Sequence, residues 1–227
     1  MYIGKILREL LKISFIKTII FNFKYFKFAD AIVFPAIIYR SVRFKKLSGH
    51  LEIKCPIKSR LIALGGDRVG TIDYLCEKTI WQVSGTIIIN GPVGIGAGSR
   101  ISVSDTSCLE LGENFVITSR SSVICHKHIK FGANCLLSWD ILIMDTDLHP
   151  IYDDRLVRIN ENKTIEVGNN VWIGCRSVVL KGAKINDGSI IAAGAIITSN
   201  FSQERVIIAG AGNSQRIVKQ NITWRVK

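Results

Sequence analysis

The chain has no CxxC pair, no secretory cleavage signal and no cysteine spacing that suits a zinc finger. A disulfide framework is typical of shorter secreted chains, so we expect free thiols in a reducing cytosol. The 227 residues, 48% of them hydrophobic, are enough for one domain with a sizeable core. The cysteines are Cys55, Cys76, Cys108, Cys125, Cys135 and Cys175.

Long uncharged hydrophobic runs are also missing, since none approaches the roughly 20 residues that a membrane-spanning helix needs. The longest run in the N-terminal segment is residues 31–39, between Asp30 and Arg40. The formal net charge is +12, but no nucleic-acid-binding motif accompanies it. The sequence therefore argues against a transmembrane protein and against a nucleic-acid partner.

Most of the positive charge lies in residues 1–46, which hold ten Lys or Arg against Glu9 and Asp30, a local balance of +8. Apolar or small residues recur there at three- and four-residue spacing, which predicts an amphipathic helix. Such a helix lies on an anionic membrane surface or packs across the end of the main domain, and the two roles are compatible. The recurring positions are Leu7, Leu10, Leu11, Ser14 and Phe15.

A six-residue repeat runs through the C-terminal half of the chain. Aliphatic residues recur at every sixth position, and a small or slim residue comes four positions after each of the first five. Neither an α-helix nor a sandwich of hairpins has this period. The aliphatic series is Val167, Ile173, Val179, Ile185, Ile191 and Ile197, and the small series is Val171, Ser177, Ala183, Ser189 and Ala195.

The same spacing recurs upstream, in sets that include Ile101, Val123 and Ile143. Three short extended runs, each followed by a corner, close one coil, and stacked coils bury their aliphatic residues against one another. The repeat therefore predicts an all-β protein, a parallel β-helix. Its predicted parts are a basic amphipathic segment over residues 1–46, a β-helix over 47–204 with a loop protruding at about 149–166, and a tail over 205–227.

Three stretches resemble the hexapeptide-repeat acyltransferases, above all their sugar O-acetyltransferases and xenobiotic acetyltransferases. They are "DTDLHP", "VGNNVWIGCRSVVLKGAKINDGSIIAAGAIIT" and the tail "AGAGNSQRIVKQNITW". "ICHKHIKFGANCLLSWDILIMDTDLHP" is further similar to members from capsule and exopolysaccharide gene clusters. The resemblance implies a left-handed coil and a CoA-dependent O-acyltransferase that uses acetyl-CoA. The implied acceptor is a saccharide of cell-surface polysaccharide or lipopolysaccharide synthesis.

In that family the histidine of the DTDLHP motif is the general base, so the resemblance implies this role for His149. A neutral imidazole can take the proton from a hydroxyl that attacks a thioester. Asp145 and Asp147 are the nearby carboxylates that could fix its tautomer. Without the motif, His149 would be interpreted as an ordinary histidine at the mouth of a loop.

The family binds CoA in a groove between adjacent subunits of a trimer, so the resemblance also implies a homotrimer. By position, two residues line the pantetheine path, two add backbone or hydroxyl contacts, and two basic residues face the CoA phosphates, which suits charge-assisted hydrogen bonds. The chain departs from the family at Ser199, where a lysine is usual, and in "GNS", where the family has "GNP". The pantetheine positions are Trp172 and Cys175, the backbone or hydroxyl contacts are Ala193 and Thr198, and the phosphate contacts are Arg216 and Lys219.

On the acceptor side, related enzymes carry an Asn and an Asp where this chain has Thr118 and His126, so we expect the acceptor to be held differently. Trp139 is a third candidate for this side. His126 and His128 stand two apart, but no further ligand follows the DTDLHP motif, so we expect no metal.

Two alternatives remain open at this point. One is N-acetylation of an amino sugar, and the other is a non-enzymatic β-helix scaffold that binds a membrane or a partner. In either case we expect a cytoplasmic protein, with peripheral contact to the inner membrane face through residues 1–46.

Overall fold

The computed structural model describes residues 10–66, 69–70, 72–74 and 76–225. Its strands form three sheets, and each coil adds one strand to each sheet in turn, which gives a triangular parallel β-helix. We call the sheets faces one, two and three.

Face one contains β1 (Ala36–Ile38), β4 (Ile62–Gly66), β7 (Val93–Gly96), β10 (Phe115–Ser119), β13 (Leu136–Trp139), β16 (Trp172–Ile173), β19 (Ile190–Ile191), β22 (Ile207–Ala209) and β23 (Arg216–Lys219). Face two contains β2 (Val42–Leu47), β5 (Thr79–Val83), β8 (Arg100–Val103), β11 (Ser122–Cys125), β14 (Leu142–Met144), β17 (Val178–Leu180) and β20 (Ile196–Ile197). Face three contains β3 (His50–Ile53), β6 (Thr86–Ile89), β9 (Cys108–Leu111), β12 (His128–Phe131), β15 (Ile165–Val167), β18 (Lys184–Ile185) and β21 (Asn200–Phe201).

The inward side chains form ladders of aliphatic residues along the axis. On face two, the register aligns Ile101, Val123, Ile143 and Val179 in consecutive coils. None of the four is more than 1% exposed. All belong to the six-residue series, so the predicted β-helix is confirmed.

The corners of the C-terminal coils lie one residue before the small series. The backbone there is left-handed, a conformation that glycine adopts without strain and asparagine tolerates. The small residue after each corner is buried, so it fits where the chain turns inward. The corner residues are Asn170 (φ 52°), Arg176 (φ 59°), Gly182 (φ 83°), Gly188 (φ 68°) and Gly194 (φ 73°).

The β-helix extends beyond both of its predicted ends, 47 and 204. Strand β1 begins at Ala36, inside the segment assigned to residues 1–46, and pairs in parallel with β4. At the other end β22 lies within the predicted tail, and after a short 3-10 helix, Gly212–Ser214, β23 returns antiparallel to it. The antiparallel strand ends the parallel stack.

A helix covers the N-terminal end of the stack. It is α1 (Phe15–Tyr25), and a short helix α2 (Phe28–Ala31) follows. Phe21 is fully buried, with its ring centroid 5.3 Å from that of Trp81 and 5.9 Å from that of Phe44. Phe21 therefore plugs the first coil, much as the ladder residues fill the later ones.

Polar groups of α1 satisfy the free edge of β1. The Ile38 amide donates to Thr18 Oγ1 at 3.1 Å, and the Ala36 amide donates to Asn22 Oδ1 at 2.9 Å. Asn22 Nδ2 donates in return to the Ala36 carbonyl at 2.8 Å. These bonds replace the strand partner that the first coil lacks, so α1 is a cap, which is one of the two roles predicted for the N-terminal segment.

The other predicted role is not decided by the cap. Leu10 and Leu11 are helical and exposed, whereas Leu7 lies outside the described residues. The predicted helix does not continue through Phe15, because Ile13 forms a bridge with Tyr39 and Ser14 is the extended N-cap at which α1 begins. None of the described helices is long and apolar enough to cross a bilayer.

Candidate active site

The loop that carries His149 leaves the stack after β14 and returns at β15. It occupies residues 145–164, whereas the predicted loop was about 149–166. The observed loop therefore begins four residues earlier and ends two residues earlier than predicted. Its outer part is a small hairpin, in which the Ile159 amide donates to the Ile151 carbonyl at 2.9 Å. The loop leaves from the corner between faces two and three, which we call the loop corner.

Asp145 fixes the base of this loop. Its side chain is fully buried, and its two oxygens accept the amides of His126 at 2.7 Å and Lys127 at 2.8 Å. These amides belong to the preceding coil at the same corner. The Cys125 thiol lies 3.6 Å away, and burial, together with the charge of Asp145, raises its pKa to about 12. Asp145 therefore joins two coils through backbone groups.

Asp147 belongs to a polar latch formed with Asn160 and Lys181. The Asp147 carboxylate accepts hydrogen bonds from Lys181 Nζ and from Asn160 Nδ2, the latter at 2.8 Å. The bonds from Lys181 and then Asn160 lower the pKa of Asp147 below its ordinary value. The latch therefore connects the start of the loop to its end and to the next coil.

Asn160 also holds the backbone on both sides of Pro150. Its Nδ2 donates to the His149 carbonyl at 2.9 Å, and its Oδ1 accepts the Ile151 amide at 2.7 Å. The His149 amide donates to the Asp147 carbonyl at 2.7 Å. The main chain at His149 is thus held on both sides while its side chain remains exposed.

The two carboxylates predicted to support His149 do so only indirectly. Within the described chain, neither Asp145 nor Asp147 hydrogen-bonds the imidazole. Both oxygens of Asp145 accept backbone amides, and Oδ2 of Asp147 accepts from Asn160 and Lys181. The predicted tautomer-fixing contact is therefore absent from this single chain. Both carboxylates shape the loop that presents the imidazole.

On the outer side of face one, Trp172 is held by two neighbours. Its Nε1 donates to Ser138 Oγ at 3.0 Å, and its ring centroid lies 6.0 Å from that of Trp224. Trp224 comes from the C-terminal tail and donates through Nε1 to the Asn170 carbonyl at 2.8 Å. The tail thus folds back along the coils and completes an aromatic pair.

Beside this pair lies a cavity of about 630 Å³. Thr118 lines it, and its buried hydroxyl has no hydrogen-bond partner among the described residues. The remaining lining residues are Asn114, Val116, Asn134, Cys135, Leu136, Asn170, Trp224 and Arg225.

Trp139, Cys175 and Ala193 lie together at the corner between faces one and two. They occupy successive coils there, and the Gly194 amide donates to the Cys175 carbonyl at 2.9 Å. Trp139 is 37% exposed, so this corner offers an aromatic surface.

The other carried-over cofactor positions lie near the C-terminal end. The Thr198 amide and hydroxyl are both engaged by Gln215, at 2.9 Å and 2.7 Å. A ligand contact through the Thr198 amide must therefore displace Gln215, whereas the hydroxyl, which accepts from Gln215, can still donate. Arg216 and Lys219 are exposed on β23.

The candidate residues thus form two groups on opposite sides of the prism. His126 and His149 lie at the loop corner, whereas Thr118 and Trp172 lie on face one, which is opposite that corner in a three-sided coil. The structure therefore does not bring Thr118 and His126 together, although both were predicted to hold the acceptor. They are eight residues apart, which is more than the six residues of one side of the triangle.

Four residues of these groups were missed from the sequence: Asn160, Lys181, Ser138 and Trp224. Lys181 follows β17 at the loop corner. Since Leu180 pairs with Met144, the six-residue frame could have placed Lys181 one coil beyond Asp145. Asn160 lies in a stretch without repeat, where the frame gives no position. Among the described residues, no group of three or more His, Cys, Asp or Glu side chains could hold a metal ion.

Comparison with known proteins begins with the repeat. Residues 164–199 match the family model described as bacterial transferase hexapeptide (six repeats). The chain is 30% identical to the polysialic acid O-acetyltransferase of Escherichia coli O1:K1 / APEC over 60% of this chain and 41% of that protein. It is 28% identical to the galactoside O-acetyltransferase of Escherichia coli (strain K12) over 65% of this chain and 68% of that protein. The match therefore spans less than half the length of the first relative.

Among solved structures, that of the polySia specific acetyltransferase NeuO superposes with a TM-score of 0.52 at 22% identity. The superposition covers 85% of this chain and 79% of that one. The fold is therefore a left-handed parallel β-helix. With the matched repeat, the resemblance to the hexapeptide-repeat transferases is confirmed.

Proposed function

We propose that the chain transfers the acetyl group of acetyl-CoA to a hydroxyl of a saccharide. The observation that carries the proposal is the His149 site, an exposed imidazole on a main chain held at both its amide and its carbonyl. The relatives that share the repeat are O-acetyltransferases of polysialic acid and of galactosides, which supports a saccharide acceptor. We further propose that the product belongs to cell-surface polysaccharide or lipopolysaccharide synthesis.

In this proposal, His149 is the general base. Its neutral imidazole takes the proton of the acceptor hydroxyl while that oxygen attacks the thioester carbonyl carbon. The tetrahedral intermediate collapses by breaking the C–S bond, and the imidazolium returns the proton to the leaving thiolate. An ester and free CoA are formed, and His149 is neutral again. Asp147 and Asn160 are positioning residues, since they hold the loop and do not touch the reacting atoms.

We assign the donor to face one and the corner between faces one and two. Trp172 and Cys175 would line the pantetheine arm, Ala193 would approach through its backbone, and Arg216 and Lys219 would pair with the phosphates. Thr198 would contribute through its hydroxyl, or through its amide after release of Gln215. Exposure of both basic side chains and of the Trp172 ring supports this assignment.

Apart from Thr198, which lies at the loop corner, these residues lie on face one or at the corner between faces one and two, away from His149. One chain therefore does not complete the site. We therefore propose a homotrimer in which the loop corner of one subunit faces the donor surface of its neighbour. The loop supports this arrangement because it exposes apolar side chains at its outer part. They are Leu148, Ile151, Tyr152, Leu156, Val157 and Ile159, each more than half exposed. Thr118 and Trp139 would then meet the acceptor from one subunit and His126 from the other.

We also propose that the protein works in the cytoplasm, in peripheral contact with the inner membrane face through its N-terminal segment. The ten basic and two acidic residues of positions 1–46 support this placement.

Thiol release from acetyl-CoA, screened over sugars, nucleotide sugars and lipid-linked glycans, tests the proposed activity. We expect release with hydroxyl acceptors, and mass spectrometry should find an added acetyl ester that mild base removes. A base-stable amide on an amino sugar would replace O-acetylation by N-acetylation, and no release with any acceptor would favour a scaffold. Light scattering that gives a monomer mass at micromolar concentration would contradict the shared site.

A further inference from the structure

The outer surface of α1 is apolar and exposed. At 3.6 residues per turn, Ile16, Ile20 and Phe23 lie on the side opposite the buried face of the helix, to which Phe21 belongs. Ile16 is 73% exposed, and Ile20 and Phe23 are exposed by almost half. Phe28 extends the surface, since its ring lies 5.9 Å from that of Phe23 and it is 72% exposed. We call this surface the end face, because it points away from the coils, along the axis of the β-helix.

The charge around the end face identifies what covers it. Lys24 and Lys27 are exposed beside it, and Asp30 is the only acidic residue between positions 10 and 46. An apolar helical surface with a basic border suits an anionic phospholipid surface, into which the apolar side chains insert while the lysines remain among the headgroups.

The register fixes how far the active site stands from this face. His149 follows β14, and face two has the order β2-β5-β8-β11-β14. Four spacings between neighbouring strands amount to about 19 Å. The helix adds roughly 10 Å of thickness, but an interfacial helix sinks about 5–10 Å into the headgroup region. The imidazole would therefore stand about 20 Å above the membrane surface.

We infer that the end face seats the protein end-on on anionic lipid and thereby selects a lipid-linked oligosaccharide whose acceptor hydroxyl lies several sugars away from the lipid. The inference rests on the proposed O-acetyl transfer. A sugar attached directly to the lipid lies too close to the surface to reach His149. The stack of coils acts as a spacer, and the number of coils before the loop sets the distance.

Vesicle flotation tests the docking step with the full chain. We expect binding to phosphatidylglycerol-containing vesicles at low salt, weaker binding at high salt, and little binding to pure phosphatidylcholine. The triple variant Ile16→Gln/Ile20→Gln/Phe23→Gln should bind at least about tenfold more weakly, since three apolar contacts are lost.

Ile196→Gln is the matched control for flotation, because Ile196 is 37% exposed but lies in the last strand of face two, at the other end of the stack. It should float like the unchanged protein. Circular dichroism should show that the triple variant keeps its fold, since Phe21 and the cap bonds are intact. Full-length protein that ignores anionic vesicles would overturn the inference. So would a triple variant that floats normally, or one whose main change is a smaller assembly, which would make the end face a contact between copies.

A second experiment tests the spacer. Acetyl transfer is measured on a lipid-linked monosaccharide and on a lipid-linked oligosaccharide of the same sugar, each in anionic vesicles and in detergent. We expect both to react in detergent but only the oligosaccharide to react in vesicles. Equal rates for both acceptors in vesicles would overturn the spacer. Absence of transfer in detergent as well would refute the proposed function instead, and flotation would still report on docking.

Discussion

The coils and the loop 145–164 are held together by different interactions. Each coil repeats the same parallel backbone pairing around buried aliphatic residues, so each element supports its neighbours. The loop has no such ladder, and its path depends on Asp145, Asp147 and Asn160. The difference teaches that a substitution in a coil should cost mainly stability, whereas a substitution in the loop should cost mainly activity.

The largest effect is expected in the loop. His149→Ala should lower turnover by roughly 10²–10⁴, which is the usual contribution of a positioned general base. The thermal unfolding midpoint should stay unchanged, because the side chain is exposed. Thiol release and circular dichroism measure the two quantities. His50→Ala, at another exposed histidine in the first coil, is the control and should keep full turnover. Near-normal activity of the His149 variant would remove this residue from the mechanism.

The reverse pattern is expected in a coil. Ile143→Ala should lower the free energy of unfolding by about 2–5 kcal/mol, since Ile143 is fully buried in the ladder of face two. Ile143→Val should cost only about 0.5–1.5 kcal/mol. Denaturant unfolding at one fixed protein concentration measures both, because assembly makes stability depend on concentration. The comparison of coil and loop fails if Ile143→Ala keeps its stability but loses turnover.

A smaller effect is expected at the latch. Asn160→Ala removes the donor shared by Asp147 and the His149 carbonyl, so kcat should fall roughly 10- to 100-fold through misplacement of the base. KM for acetyl-CoA should change little, because the Asn160 side chain bonds only residues of its own loop and is not among the proposed donor contacts. Asn186→Ala, which loses a bond to the Ser202 carbonyl, is the matched control. Equal loss of kcat in both variants would show a general loss of order rather than a positioning role.

The sequence predicted the coils well because their geometry repeats. One aliphatic residue in six marks Ile101, Val123 and Ile143 as inward-facing within their sets of repeats. The structure then places all three on one ladder, although longer corners interrupt the period between the sets. The left-handed corner residues, such as Asn170 and Gly182, recur with the same six-residue period. The start at Ala36 was missed because β1 is paired on one edge by a strand and on the other by α1, which has no hexapeptide pattern.

The candidate site was predicted only in part because its contacts do not repeat. His149 was identified from a motif, but the partners of Asp145 are backbone amides of another coil, which no side-chain pattern records. Asn160 meets Asp147 across a loop whose path depends on its own hydrogen bonds. Sequence spacing likewise did not show that Thr118 and His126 lie on different sides of the prism.

The smallest effect is expected in the labelling of the thiols, which reports whether reagents can enter the coil interior beside the loop. Burial raises the pKa of Cys125 and of Cys135 to about 12, so almost no thiolate forms at neutral pH, and iodoacetamide should leave both unlabelled in the folded protein. Cys175 is half-buried and should be labelled, and CoA should protect it if the donor binds there. Peptide mass spectrometry measures each site, and unfolding in denaturant should make all of them reactive. Labelling of Cys125 as fast as Cys175 would show that the base of the loop opens, and the loop corner would then not be a rigid support for His149.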